Sequence, residues 1–340
     1  MSLQQGSTAR ARAGGSLAVA SASALFGTTA VATLLLAPEL PAVTTAGWRV
    51  VVGGLVLVAI SVLFGRAPWH YRMRWRPVIV GGLAFVAFQL GFFAAVGRVG
   101  AATATIIAIG VSPIAAGAID RVQRGIRLRR SWWVGIVVAV AGIAVLSGAD
   151  GVLPDPLGWA SAVMSGCFFA VFGAAIRDLM SDRPALTAIA TVFGAAILPA
   201  AVMLAVAGTN PFVDPGSTAA VLWVGVVTTG VAYGLWVRGL AVLSLGDTVT
   251  LTMLEPVAAT LLAIVILREA AGLHTVVGIV AVLIGVWLAT TRPGADQPTS
   301  SAAQGGLAPA REQVMAETLE ANVNAAVRPS SVNVSRRPPR

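Results

Sequence analysis

The sequence predicts an all-α integral membrane protein of ten transmembrane helices arranged as two inverted five-helix repeats, and three observations carry that prediction. Hydrophobic residues make up 57% of the 340 residues, charged residues only 11%, and mean hydropathy is +0.85, where soluble domains carry roughly 25% charge. Pro113-Ile114-Ala115-Ala116 returns 143 residues later as Pro256-Val257-Ala258-Ala259, and Gly135-Ile136-Val137 with Gly142 returns as Gly278-Ile279-Val280 with Gly285. Gly91 and Gly234, and Thr105 and Thr248, keep the same offset without a gap, which marks a duplicated unit. Finally, the basic residues, all of them arginine, alternate between loops in opposite senses in the two copies.

A helix needs about 20 apolar residues to cross the hydrocarbon core. Uncharged runs of that kind lie at 16–36, 46–64, 77–97, 101–119 and 132–146, then at 157–176, 185–208, 218–237, 246–267 and 272–290. The first follows Arg10 and Arg12 and is filled with small residues, as a signal peptide would be, but its length and the nine spans behind it favour a retained helix. The expected organisation is a cytoplasmic N-terminal segment (1–15), a first repeat (16–149), a second repeat (150–291) and a cytoplasmic tail (292–340). Pro, Ser, Gln and Arg dominate that tail, a composition that cannot bury a core and stays mostly disordered. Met315, Leu319, Val323 and Val327 keep helical spacing in it, consistent with one short amphipathic helix.

Arginine placement sets the orientation. With the N-terminus inside, inner loops hold Arg66, Arg72, Arg74 and Arg76, then Arg121, Arg124, Arg127, Arg129 and Arg130, then Arg177, Arg183 and Arg238. Outer loops hold only Arg98 and Arg268 beside Glu39, Asp150, Asp155, Asp214 and Glu269, so the positive-inside rule puts both termini in the cytoplasm of a plasma-membrane protein. Trp69, Trp75, Trp132, Trp133 and Trp159 lie at span ends, where an indole can be half buried and still hydrogen-bond. Five helices is an odd number, so the second copy enters the membrane upside down. Inverted repeats of this kind place a cavity at the midplane that either side can reach by rocking, which is alternating access.

The residues resemble the drug/metabolite transporter superfamily, and within it the EamA-type ten-helix transporters, over about residues 16 to 291. The marks are Ala24-Leu25-Phe26-Gly27 echoed by Ala170-Val171-Phe172-Gly173, Trp48-Arg49 opening span two, and Gly91-Phe92-Phe93-Ala94 through Thr105 to Pro113. Leu254-Glu255-Pro256, Arg268-Glu269 and Gly278 complete the set. The chain departs from the family where a Gly-Glu pair commonly ends the fourth span: Ile126 stands at the position matching Glu269, among arginines. The resemblance implies export of a small solute, driven by an ion gradient or by the solute's own gradient.

Ionisable groups inside spans are costly and usually functional. Glu255 leads the candidates, near the middle of span nine and just before Pro256, which removes a backbone hydrogen bond. It could carry a proton, pair with a substrate ammonium, or satisfy local backbone at the break. Its counterpart in the first repeat is Ser112, beside Pro113, so both prolines are expected to break their helices. Arg49, near the outer end of span two, either snorkels to the interface or lines the outer mouth and pairs with Glu255. Asp247 reads as a helix N-terminal capping acid. Gln89, Phe92, Thr105, Tyr233, Trp236, Thr250 and Thr252 are further cavity candidates, for which helix packing is the competing role.

Several classes are set aside. A pI near 11.5 could suggest nucleic-acid binding, but no soluble domain offers a basic face. No G-x-x-x-x-G-K-[ST] motif points to ATP hydrolysis. Acids are scattered singly, and two distant histidines with the lone Cys167 give no metal site, so neither an enzyme nor a bound cofactor is expected. A phosphorylated substrate would call for several intramembrane cations, and only Arg49 is available. The implied partners are a small neutral or zwitterionic metabolite, the lipid bilayer and protons, with a homodimer as an option. The alternative is a membrane scaffold whose tail recruits partners.

Overall fold

A computed structural model describes residues 2–147, 155–208 and 210–290. The expected tail, its amphipathic helix and Asp150 lie outside these residues. All regular structure within them is helical.

The segments are α1 (Ser2–Leu36), α2 (Ala42–Leu63), α3 (75–99), α4 (101–124), α5 (Arg130–Leu146), α6 (Pro156–Leu179), α7 (Ala185–Ala207), α8 (Pro215–Leu240), α9 (Leu245–Leu267) and α10 (Leu273–Thr290). Helical hydrogen bonding runs through Trp75–Arg124, but Gly100, at φ 79° and ψ 159°, has left helical space. Glycine alone adopts that conformation cheaply, and the chain doubles back there. Gly158, Gly91 and Gly81 show it: they pair α3 antiparallel with α6 by packing against Val99, Ser165 and Ala175. Gly166 of the same α6 meets Ala108 and Ser112, and Arg177 reaches Asp120, so α4 runs parallel to α6. At 17 residues α5 is the shortest segment, about 25 Å at 1.5 Å per residue, and it still reaches across a thin core.

Residues 2–15, expected as a separate segment, continue α1 without interruption. Packing explains this, because Gly15 lies against Val242 and Leu243 and Arg12 pairs with Asp247 at 3.5 Å. Trp132, expected at the interface, is only 5% exposed and packs on Gly117. Trp69, Trp75 and Trp133 are exposed, as an interfacial belt requires.

The inversion is visible in contacts between the halves. Gly135 packs on Gly285 and Ala289, and Gly142 packs on Gly278 and Val282, so α5 and α10 run antiparallel. Each contact repeats with the halves exchanged and shifted by 143 residues. Gly15 on Val242 is matched by Gly158 on Val99, and Gly53 on Gly225 by Gly82 on Ala196. The Ser23 hydroxyl donates to the Leu251 carbonyl at 3.1 Å, and Gly166 packs on the Ala108 carbonyl at the matching place. Equivalent helices packed antiparallel require a two-fold axis perpendicular to them, which lies in the membrane plane. One end of the bundle gathers the arginine-bearing loops. The other holds Glu39, Asp155, Asp214 and Glu269 with Arg98 and Arg268 among the described residues.

Candidate translocation site

The site begins at a break in α9. Regular helix stops at Leu251, a 3₁₀ turn covers Thr252–Leu254, and helix resumes over Glu255–Leu262 with Pro256 in its first turn. Proline tolerates that position because its missing N–H has no partner to lose there. Glu255 closes the 3₁₀ turn with its own N–H on the Thr252 carbonyl. Its carboxylate thus starts a helical half, at the positive end of the peptide dipoles, close to mid-span and half-buried. Pro113 behaves differently from expectation. Helical dihedrals pass through it, and Gly100 is the single non-helical residue of the 50-residue stretch. A proline already has the φ a helix needs, and Ser112 beside it donates its hydroxyl to the Ala108 carbonyl at 2.7 Å within the buried helix.

In α8 the helix widens to π-helix over Trp223–Val231. Its Val, Thr and Gly residues suit a wide turn. Gly225 and Gly230 pack on Val52 and Val56 of α2 at distances only glycine permits, and Gly53 of α2 meets Thr229 in return. The wide turn aims the Thr229 hydroxyl at α2, where it accepts from Arg49 Nε at 3.3 Å and donates to the Val224 carbonyl at 2.9 Å. π-Helical widening is rare and is frequent at functional sites. Arg49 makes no ion-pair contact with Glu255 among the described residues. Its guanidinium is held on Thr229 by that hydrogen bond, and the residue is half-buried.

Towards the arginine-rich end, aromatic rings fill the space below this pair. Tyr233 meets Phe26 at 4.8 Å, Phe193 at 5.1 Å and Phe85 at 5.5 Å between centroids, and Trp236 stacks on Phe172 at 6.1 Å. Phe85, Phe172, Phe193 and Trp236 are fully buried. Such tilted and edge-on pairs add about 0.5–1.5 kcal/mol each beyond area burial. The rings come from α1, α3, α6, α7 and α8 and plug the bundle at this level.

Below the plug lies an ionic clasp. Asp120 of α4, 1% exposed, accepts from the Gly246 N–H at 2.8 Å and pairs with Arg177 of α6 at 3.3 Å. Arg177 also donates to the Leu240 carbonyl at 3.1 Å and to that of Leu243, at the end of α8. Asp247, expected as the cap of α9, pairs with Arg12 instead, and the cap is Ser244, whose hydroxyl oxygen accepts from the Asp247 N–H at 2.9 Å. Four helix ends and α1 are thereby tied together at one end.

The structure seats Arg49 on Thr229, Tyr233 among the plug rings and Glu255 at the break of α9, with the other candidates elsewhere or in the plug. Trp236 lies in the plug with its indole N–H unpartnered, and Gln89 is buried with an unpartnered amide nitrogen. Thr252 and Thr250 are buried and donate to backbone carbonyls of their own helix, Val249 and Gly246. Phe92 sits against Phe93 at 5.7 Å, beside a small cluster of Ala95, Val99 and Ala162 near the acidic end. The sequence reading missed Thr229, the plug phenylalanines and the Asp120–Arg177 clasp. Gly225 and Gly230 flanking two threonines was the available signal for Thr229, whereas nothing local announces the others.

A bundle of membrane-crossing helices in two inverted halves, with a carboxylate near mid-span of α9 and a guanidinium in the first half of α2, defines a multi-pass membrane protein of the inverted-repeat class. Residues 13–148 and 156–291 each match the EamA-like transporter family. The chain belongs to that family and is a membrane transporter. A relative in Bacillus subtilis (strain 168), named "Uncharacterized transporter YwfM", is 28% identical over 289 residues, spanning 85% of this chain and 97% of its own. A solved structure titled "Crystal structure of protein" shares the fold with a TM-score of 0.72 at 22% identity, covering 82% of this chain and 96% of that one.

Proposed function

We propose that the protein exports a small zwitterionic metabolite, of the amino-acid class, across the plasma membrane by alternating access. The observation that carries this reading is two opposite charges within the bundle that form no ion pair among the described residues: Glu255 at the break of α9 and Arg49 held on Thr229 of α8. Opposite groups kept apart fit a solute with an ammonium at one end and a carboxylate at the other. Tyr233 and Phe26 offer the wall for its side chain. By the positive-inside rule the arginine-rich end faces the cytoplasm, so the plug and clasp mark a conformation shut towards the cytoplasm. Glu255, with Ser112 as its only counterpart, serves both as ammonium partner and as the group that couples flux to protons.

Proteoliposome flux tests this directly. Uptake of an amino-acid panel is expected to fall roughly tenfold or more in Glu255→Gln, the loss of one charge-assisted hydrogen bond, and to respond to dissipation of the pH gradient. Arg49→Gln is expected to abolish discrimination between amino acids and their methyl esters. Unchanged flux in Glu255→Gln with the gradient collapsed would sink the coupling role. Esters carried as well as acids by the wild type would remove the zwitterion.

A further inference from the structure

We propose that a groove between α3, α4 and α6 at the arginine-rich end binds the phosphate headgroup of an anionic phospholipid, with the start of an acyl chain lying along its apolar wall. The groove is a cavity of about 680 Å³, away from Glu255 and independent of what the protein carries. Arg76, Arg124 and Arg177 line it on the polar side, and Val80, Ile119 and Val171 line it one or two turns deeper. Asp178 also borders it, but that carboxylate is taken up by Arg74 at 2.7 Å. Arg76 and Arg124 make no ion pair among the described residues, and Arg177 Nε is buried without a partner. The rim therefore carries two guanidiniums, Arg76 and Arg124, whose charge no carboxylate takes up among the described residues, and a phosphate can neutralise them.

The inverted repeat supplies an internal control. Under the 143-residue offset Val80 and Val171 correspond to Trp223 and Thr28, and there the Trp223 indole N–H donates to the Thr28 hydroxyl at 3.0 Å, bridging the matching gap. Arg76, Arg124 and Arg177 correspond to Ala219, Leu267 and Leu34. One groove is thus bridged from within and carries no charge. The other has short walls, a cationic rim and open volume, and Trp75 and Trp133 of the same end mark the headgroup level. A headgroup on one side and an apolar wall on the other match a lipid better than a soluble anion. Because Arg177 also makes the clasp, a bound headgroup holds that guanidinium in place and favours the conformation closed at this end.

The test uses the full chain in a neutral detergent, with thermal unfolding followed by its nine tryptophans. Phosphatidylglycerol is expected to raise the melting point, while phosphatidylcholine and glycerol 3-phosphate at equal concentration leave it unmoved. Arg124→Gln and Val80→Trp are each expected to weaken the phosphatidylglycerol response roughly tenfold, the first by removing charge and the second by filling the groove. Arg127→Gln, at the same end but outside the groove, is expected to respond as the wild type does. Should Val80→Trp fail to fold, Arg76→Gln with Arg124→Gln takes its place. An equal response to phosphatidylcholine or to glycerol 3-phosphate overturns the proposal. So does a full response in the groove variants, or an equal loss in Arg127→Gln.

Discussion

The two ends of the bundle are built from equivalent helices and are tied by different means. At the arginine-rich end, Asp120 and Arg177, with side chains 2% and 12% exposed, gather carbonyls and an N–H from the chain joining α8 to α9. Arg183 adds a second tie by donating to the Arg72 carbonyl at 2.8 Å, and Arg74 bridges to Asp178 and Ser181. At the acidic end the ion pair among the described residues is Arg98–Asp155, with side chains 47% and 29% exposed, and Asp155 and Asp214 cap their helices. A buried charge network resists opening much more than an exposed pair does. The difference teaches that duplication of the fold did not duplicate the lock.

The strongest way to break this comparison is to remove one partner of the clasp. Asp120→Ala or Arg177→Ala leaves a buried charge without compensation and is expected to cost about 3–5 kcal/mol, read from thermal unfolding in detergent. The double variant Asp120→Leu with Arg177→Met should recover most of that loss. If either single variant melts like the wild type, the clasp holds nothing. A smaller effect is expected where the two halves share one interface. A Cβ at Gly142 would lie 2.7 Å from the Val282 nitrogen, and one at Gly285 would lie 2.6 Å from the Gly135 carbonyl oxygen. Gly142→Ala and Gly285→Ala, equivalent under the repeat, should each cost about 1–3 kcal/mol. Unequal losses would show that the two-fold relation fails at the helix pair nearest to it.

The smallest effect belongs to the acidic end and follows pH. Backbone N–H groups of Gly158 and Leu157 hold the Asp155 carboxyl below its ordinary value, and those of Ser217 and Gly216 do the same for Asp214. A lowered folded value means the caps stabilise fully above the ordinary carboxylate range and are lost as pH falls through the folded value. Hydrogen exchange in the first turns of α6 and α8 should therefore quicken below about pH 4.

What the sequence disclosed and what it hid divide along a physical line. Spans are written in local hydropathy, and the repeat in a constant offset, so the ten segments and their inversion could be read directly. Gly100 was placed correctly between two spans because glycine punctuates. Glu255 stood out as a lone acid in an apolar run. The clasp joins residues 57 positions apart, and its carbonyl acceptors leave no trace in side-chain pattern. Phe85, Phe172 and Phe193 look like ordinary apolar residues in three separate spans and become a plug only when packing unites them. Pro113 and Pro256 show the limit most plainly. The two share a motif, yet one helix runs through its proline and the other changes pitch just before it.

The contrast between the two prolines is matched by a contrast in charge, because Glu255 lies near mid-span and Ser112 stands at its place in the first repeat. Two separate five-helix chains meeting about a two-fold axis would be identical, so each would bring a carboxylate to the midplane or neither would. Joining them in one polypeptide makes the halves chemically free of one another while the glycine-lined pairing of α5 and α10 keeps them matched in shape. Glu255 can then face a first repeat that offers only Ser112, and a symmetric frame encloses an asymmetric charge.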